Sequence, residues 1–153
     1  MMTLDQRRAK FALEKVNEVV GLSAEPNSAY RAYVRKFPST VQRNGLMQAL
    51  ALELALANRS GGDAAAHKHV LCHVSAWLVD PSGWGPRSPH FTEKSFNYLS
   101  TDLVKRMSEG TEKELIRTQY EMMTYLRWLK TFAEALIPPP EKGNSEPAPE
   151  EGV

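Results

Sequence analysis

The sequence predicts an all-α fold, a compact single-domain bundle of about five or six helices. Three observations carry that reading. Apolar residues recur at spacings of three and four along most of the chain. Two segments with capping-box spacing, Thr3-Leu4-Asp5-Gln6 and Thr111-Glu112-Lys113-Glu114, open such stretches. Almost nothing alternates apolar and polar residues as a half-buried strand does.

In the first helix Thr3 is the N-cap and Gln6 reaches back to it. Its stripe of Leu4, Arg8, Phe11, Leu13, Val16, Val19 and Val20 stops at Gly21. A second helix is expected from about Pro26, well placed in a first turn, to Phe37, with Tyr30, Val34 and Phe37 inward and Pro38 interrupting it. Ser39 or Thr40 then caps a third helix through Leu46, Leu50, Leu54 and Leu56 to Asn58. Gly45 lies inside that helix, where it permits close approach of another backbone or a bend.

Ser60-Gly61-Gly62 reads as a turn, and Asp63 as the cap of a fourth helix from Ala64 to about Asp80, with Val70, Val74, Trp77 and Leu78 inward. The segment from Pro81 to Pro89 is loop by composition, and Trp84 and Phe91 within or beside it hint at an exposed contact surface or a fold-back onto the core. Thr92 starts a fifth helix holding Phe96, Leu99, Leu103 and Val104 and ending near Gly110. The last helix runs from the second capping box through Leu136. Its seam of Leu115, Gln119, Met122, Leu126, Leu129, Ala133 and Leu136 is joined by a second apolar line of Tyr125, Trp128 and Phe132. A helix apolar on two sides belongs at the centre of a bundle. Residues 1–137 therefore form the helical domain, and 138–153, rich in Pro and Glu, form a tail expected to be disordered.

Composition excludes several classes. With 153 residues, 42% of them apolar, the chain is large enough to bury one core. No apolar run approaches the roughly 18 residues that span a bilayer, and no signal peptide precedes the first helix, so neither membrane insertion nor export is expected. Cys72 is the single cysteine, which forbids an internal disulfide and fits a reducing cytoplasm. The net charge of +1 is uneven: the tail from Pro138 carries −3 and the remainder +4.

No catalytic constellation emerges. His69 and His73 stand four apart with His67 nearby, a spacing able to hold a metal, but Val70 follows His69 where a metalloprotease motif needs glutamate. Ordinary surface or partly buried histidines are the better reading, and a histidine-based metalloenzyme the lesser one. Glu112 and Glu114 sit in a first turn, where acids favour the helix dipole. A phosphate loop and a nucleophile elbow are both missing. The expectation is a non-enzyme with no metal and no cofactor.

The basic residues are more informative. From Pro26 to Leu52 there are four cations, Arg31, Arg35, Lys36 and Arg43, and no acid. Arg31 and Arg35 share a helix face, with Tyr33 among them as a possible stacking surface. Arg127 and Lys130, three apart on the last helix, form a second basic spot. Such stripes track a phosphate backbone without sequence preference, or are solvated helix faces. On spacing alone the solvated face is slightly the better reading. A generic helical adaptor, or a helix-turn-helix regulator with its turn at Pro38, is the alternative from another class.

Three segments carry a family resemblance: Asp5-Gln6-Arg7-Arg8-Ala9; Tyr33-Val34-Arg35-Lys36-Phe37-Pro38 with Val41 and Asn44-Gly45-Leu46-Met47-Gln48-Ala49-Leu50; and Tyr125 to Ala135. In this order they resemble the small-subunit family of the type III-B (Cmr) CRISPR effector. The resemblance implies an all-helical, non-catalytic building block in antiviral defence. Its implied partners are the backbone and large Cmr subunits, further copies of itself by stacking, and target RNA paired with guide RNA. Base pairing reads sequence in such systems, so the protein supplies charge and shape, and the resemblance makes Arg31, Arg35, Lys36, Arg43, Arg127 and Lys130 the candidate RNA-binding residues.

Overall fold

A computed structural model describes residues 1–22, 24–92 and 96–140, with the side chains of 24–26 left aside. Among the described residues there are six α-helices, one short 3-10 turn and no strand. The helices are α1 (Leu4–Val20), α2 (Ala24–Asn44), α3 (Leu46–Ala57), α4 (Ala64–Val79), α5 (Asp102–Ser108) and α6 (Glu112–Leu136). The tail expected to be disordered lies outside the described residues from 141 onward.

Both capping boxes form as their spacing dictates. Gln6 N–H donates to Thr3 Oγ1 (3.1 Å) and Thr3 N–H to Gln6 Oε1 (2.7 Å). Thr111 and Glu114 repeat the exchange at 3.1 and 3.0 Å. One core then gathers the inward stripes. Phe11 and Val16 of α1, Tyr30 and Val34 of α2, Trp77 of α4, and Tyr125 and Leu129 of α6 are all 3% exposed or less. α6 packs against α1, α2 and α4, which is the central position its two apolar lines require.

The structure differs from the sequence pattern at three joints. First, α2 does not stop at Pro38; it continues to Asn44 with the proline inside. A proline within a helix costs about 3 kcal/mol. Phe37 and Val41, on either side of it, are at most 2% exposed, and full burial of two such side chains stabilises by about 3–6 kcal/mol, enough to hold the helix through the defect. Second, the break falls at Gly45, whose φ of 82° is a left-handed value that disfavours any side chain. A Cβ there would meet only Gln119 Oε1 at 3.9 Å, so backbone conformation, and not close packing, requires the glycine. Gly45→Ala is expected to destabilise by about 1–2 kcal/mol; a chemical denaturation midpoint equal to that of the wild type would contradict this.

Third, the helix expected from Thr92 is only α5, beginning at Asp102. Residues 93–95 lie outside the described set, and the chain from Phe96 to Thr101 is turn or irregular. Local side-chain bonds compete with the helix there: Leu99 N–H donates to Asn97 Oδ1 (3.0 Å) and Ser100 Oγ to the Asn97 carbonyl oxygen (2.8 Å). The loop after α4 folds back. Trp84 N–H donates to the Trp77 carbonyl (2.8 Å), its ring is 2% exposed, and Arg117 lies 5.4 Å over it. Trp84 is thus a core residue, and Phe91 is half-buried. Gly85 passes so close to the Asp80 carbonyl that a Cβ would collide with it.

Candidate nucleic-acid interface

Helix geometry divides the cations of α2 into two stripes flanking its buried face. With about 100° per residue, Arg31, Arg35, Pro38 and Gln42 fall on one side, and Lys36, Thr40 and Arg43 on the other. The first stripe faces α6. Arg35 Nε donates to Glu134 Oε2 at 2.6 Å, while Pro38 and Gln42 share a groove of about 320 Å³ with Met123, Leu126, Arg127 and Lys130. Further along, Leu46 N–H donates to Gln119 Oε1 (2.9 Å). These pairings run in opposite directions along the chain, so α6 lies antiparallel to α2 and α3.

Arg35, Arg127 and Lys130, read separately from the sequence, therefore belong to one surface. Arg31 is one turn before Arg35 on the same stripe and half-buried; its Nε is enclosed without a hydrogen-bond partner among the described residues. Arg127 is exposed, and Lys130 half-buried. The groove beside them is lined by Asp5, Thr124, Arg127, Trp128 and Thr131. There a hydrogen bond from Trp128 Nε1 (3.0 Å), then one from Arg8 with its charge, and the charge of Arg127 hold the Asp5 carboxyl below its usual range.

Lys36 and Arg43 lie on the far stripe. Lys36 borders a separate groove between α2, α3 and α4, and Arg43 is exposed near the end of α2. Tyr33, read from the sequence as one possible stacking surface, stacks on His67, with ring centroids 3.9 Å apart and an interplanar angle of 17°. Its hydroxyl donates to Asp63 Oδ2, so Asp63 serves Tyr33 and makes no side-chain cap for α4.

Each histidine has a role in packing. His67 Nδ1 donates to Glu53 Oε2 (2.5 Å), and burial raises the Glu53 carboxyl above its ordinary range. His73 Nε2 donates to Glu18 Oε1 (3.2 Å), which leaves Nδ1 to accept from the Tyr30 hydroxyl (2.8 Å). Burial pushes His73 down to about 4, so the neutral ring is the form that fits. His69 lies 5.9 Å from His73 at a tilt, and His90 bonds Thr118 at 3.1 Å. Among the described residues no group of three or more metal-ligating side chains gathers.

The sequence also concealed two long-range pairings. Arg8 does not merely offset the acids of its own helix; it is bidentate to Glu121, at 2.7 Å through both nitrogens. Glu134, the partner of Arg35, carried no signal because the two lie on different helices. The turn that a helix-turn-helix arrangement places at Pro38 is absent, since α2 passes straight through it.

The sequence profile of the CRISPR-associated protein family Cas_Cmr5 matches residues 4–136. The chain is also similar to the crystal structure of a CRISPR-associated Cmr5 family protein from Thermus thermophilus. That similarity is 27% identity over 90% of this chain and 100% of that one, with a TM-score of 0.66. Since the match runs from the first residue of α1 to the last of α6, the chain belongs to the CRISPR-associated Cmr5 family, a family of Cmr complex subunits.

Proposed function

We propose that the chain is a non-catalytic structural subunit of a type III-B effector, stacking along the complex beside the backbone and large subunits and lining the groove where target RNA pairs with guide RNA. The observation that supports this most is the shared α2–α6 surface, where Arg35, Arg127 and Lys130 converge from sequence positions about ninety residues apart. Each exposed cation along such a surface binds phosphate through counterion release and without base preference. Glu134 meets the charge of Arg35 and holds its side chain in place, so Arg127, exposed beside Asp5, and Lys130 supply most of the charge for phosphate, with Arg31 at the margin and Arg43 on the far stripe. Among the described residues no helix is long and apolar enough to cross a membrane, and the proposed working compartment is the cytoplasm, where guide RNA resides.

The assembled complex tests this. Arg127→Gln with Lys130→Gln is expected to weaken target-RNA binding about tenfold and to reduce the magnitude of the log K against log salt slope by roughly 1.5. Normal incorporation of the variant subunit must accompany the loss. Unchanged affinity and slope in a fully assembled complex would remove the RNA-lining role from this surface.

A further inference from the structure

The groove bordered by Lys36 is built differently from the α2–α6 surface. It encloses about 390 Å³ between α2, α3 and α4. Its floor is aliphatic and aromatic: Phe37, with Leu52 and Leu56 one turn apart on α3. Leu52 is 41% exposed, a large apolar side chain left open to water beside a ready concavity.

Charge at the groove is polarised by depth. Inside, Glu53 is bonded to His67 and its burial disfavours the charged carboxylate, while Asp63, which accepts from the Tyr33 hydroxyl, is not among the lining residues. At the rim, Lys36 and Arg59 make no ion pair among the described residues. The rim therefore carries an excess of positive charge around an apolar floor. An RNA backbone would use the rim and gain nothing from the two leucines. A base seeking an aromatic platform would find Tyr33 already stacked on His67. A protein segment that carries an apolar anchor flanked by carboxylates satisfies both halves of the groove at once.

We propose that this groove docks an acidic, apolar-anchored segment of another protein subunit of the Cmr assembly, with Leu52 and Leu56 receiving the anchor and Lys36 and Arg59 its carboxylates. The contact is separate from the RNA-facing surface, lying on the opposite stripe of α2, and it assigns Lys36 to protein recognition.

The test uses the full complex reconstituted with variant subunits. Leu52→Asp and the pair Lys36→Glu with Arg59→Glu are each expected to lower incorporation of this subunit about tenfold. Leu13→Asp, at an exposed leucine on α1, is the matched control and leaves incorporation unchanged. Unaltered circular dichroism of each isolated variant separates docking from folding. A photo-crosslinking residue at position 52 then identifies the occupant. An adduct with an acidic segment of a different subunit supports the proposal. An adduct with RNA, an adduct with a second copy of this chain, or normal incorporation of both groove variants overturns it. Target-RNA affinity, read through Arg127 and Lys130, reports on the RNA-lining role independently.

Discussion

Replacing Glu121 by alanine is expected to lower the unfolding free energy by about 3–5 kcal/mol, the range for breaking a buried charge pair. Glu121 is 5% exposed and joins three helices: Arg8 of α1 forks onto both its oxygens at 2.7 Å, and Trp77 Nε1 of α4 donates to it at 3.0 Å. The alanine variant leaves the Arg8 guanidinium, 12% exposed, with only the exposed Asp5 carboxylate at 3.2 Å opposite it, and the indole N–H without an acceptor. The glutamate both supports Arg8, whose ionised form its hydrogen bonds favour, and orders the contact of α1 with α6. Thermal unfolding should fall by roughly 10 °C or more for a domain of this size. The double variant Arg8→Met with Glu121→Met should lose less than the two single variants summed, because it removes the charge that a single deletion strands. A Glu121→Ala midpoint within about 2 °C of the wild type, roughly the effect of 1 kcal/mol or less, would show that the pair is not a structural fastener.

Trp77→Ala is expected to be comparably severe, about 3–5 kcal/mol. The indole is fully buried, stacked on Tyr125 with centroids 5.0 Å apart, and met edge-on by Phe11 at 5.4 Å. Its removal opens a cavity where α1, α4 and α6 meet. Trp77→Phe keeps one ring in the stack, removes the hydrogen bond to Glu121 and leaves a smaller cavity, a loss of about 1–3 kcal/mol. Equilibrium denaturation of both variants separates the two contributions, and equal losses would mean that the hydrogen bond, and not the ring, dominates. Coupling between Trp77 and Glu121 is expected in a double-mutant cycle, since they share one bond and one cavity wall.

How much of this was legible beforehand follows the range of each interaction. Capping boxes at Thr3 and Thr111 were readable because donor and acceptor are three residues apart and helix geometry alone brings them together. Most of the inward stripes were readable for the same reason, but Leu13 and Val20 of the first helix, at 37% and 39% exposed, and Leu136 at the end of the last, at 41%, face outward. Pro38 was misleading: its local penalty is real, yet packing of Phe37 and Val41 outweighs it. Asp63 was misleading in the opposite sense, since the cap it favours locally yields to the Tyr33 hydroxyl from α2.

The candidate surface divides along the same line. The sequence by itself determined the helical class, the family resemblance and the presence of an unusually acid-free basic stretch, all of which depend on residue order or on neighbours within two turns. Only the tertiary structure decided that Arg35 and Lys36, adjacent in sequence, meet different neighbours, Glu134 of α6 and the groove between α2, α3 and α4, that Arg127 and Lys130 lie on the α6 side, and that Glu121 fastens three helices. The physical reason is that a helix fixes directions only relative to its own axis. Which cation meets a carboxylate, and which stays free for a partner, is settled by the helix packed against it.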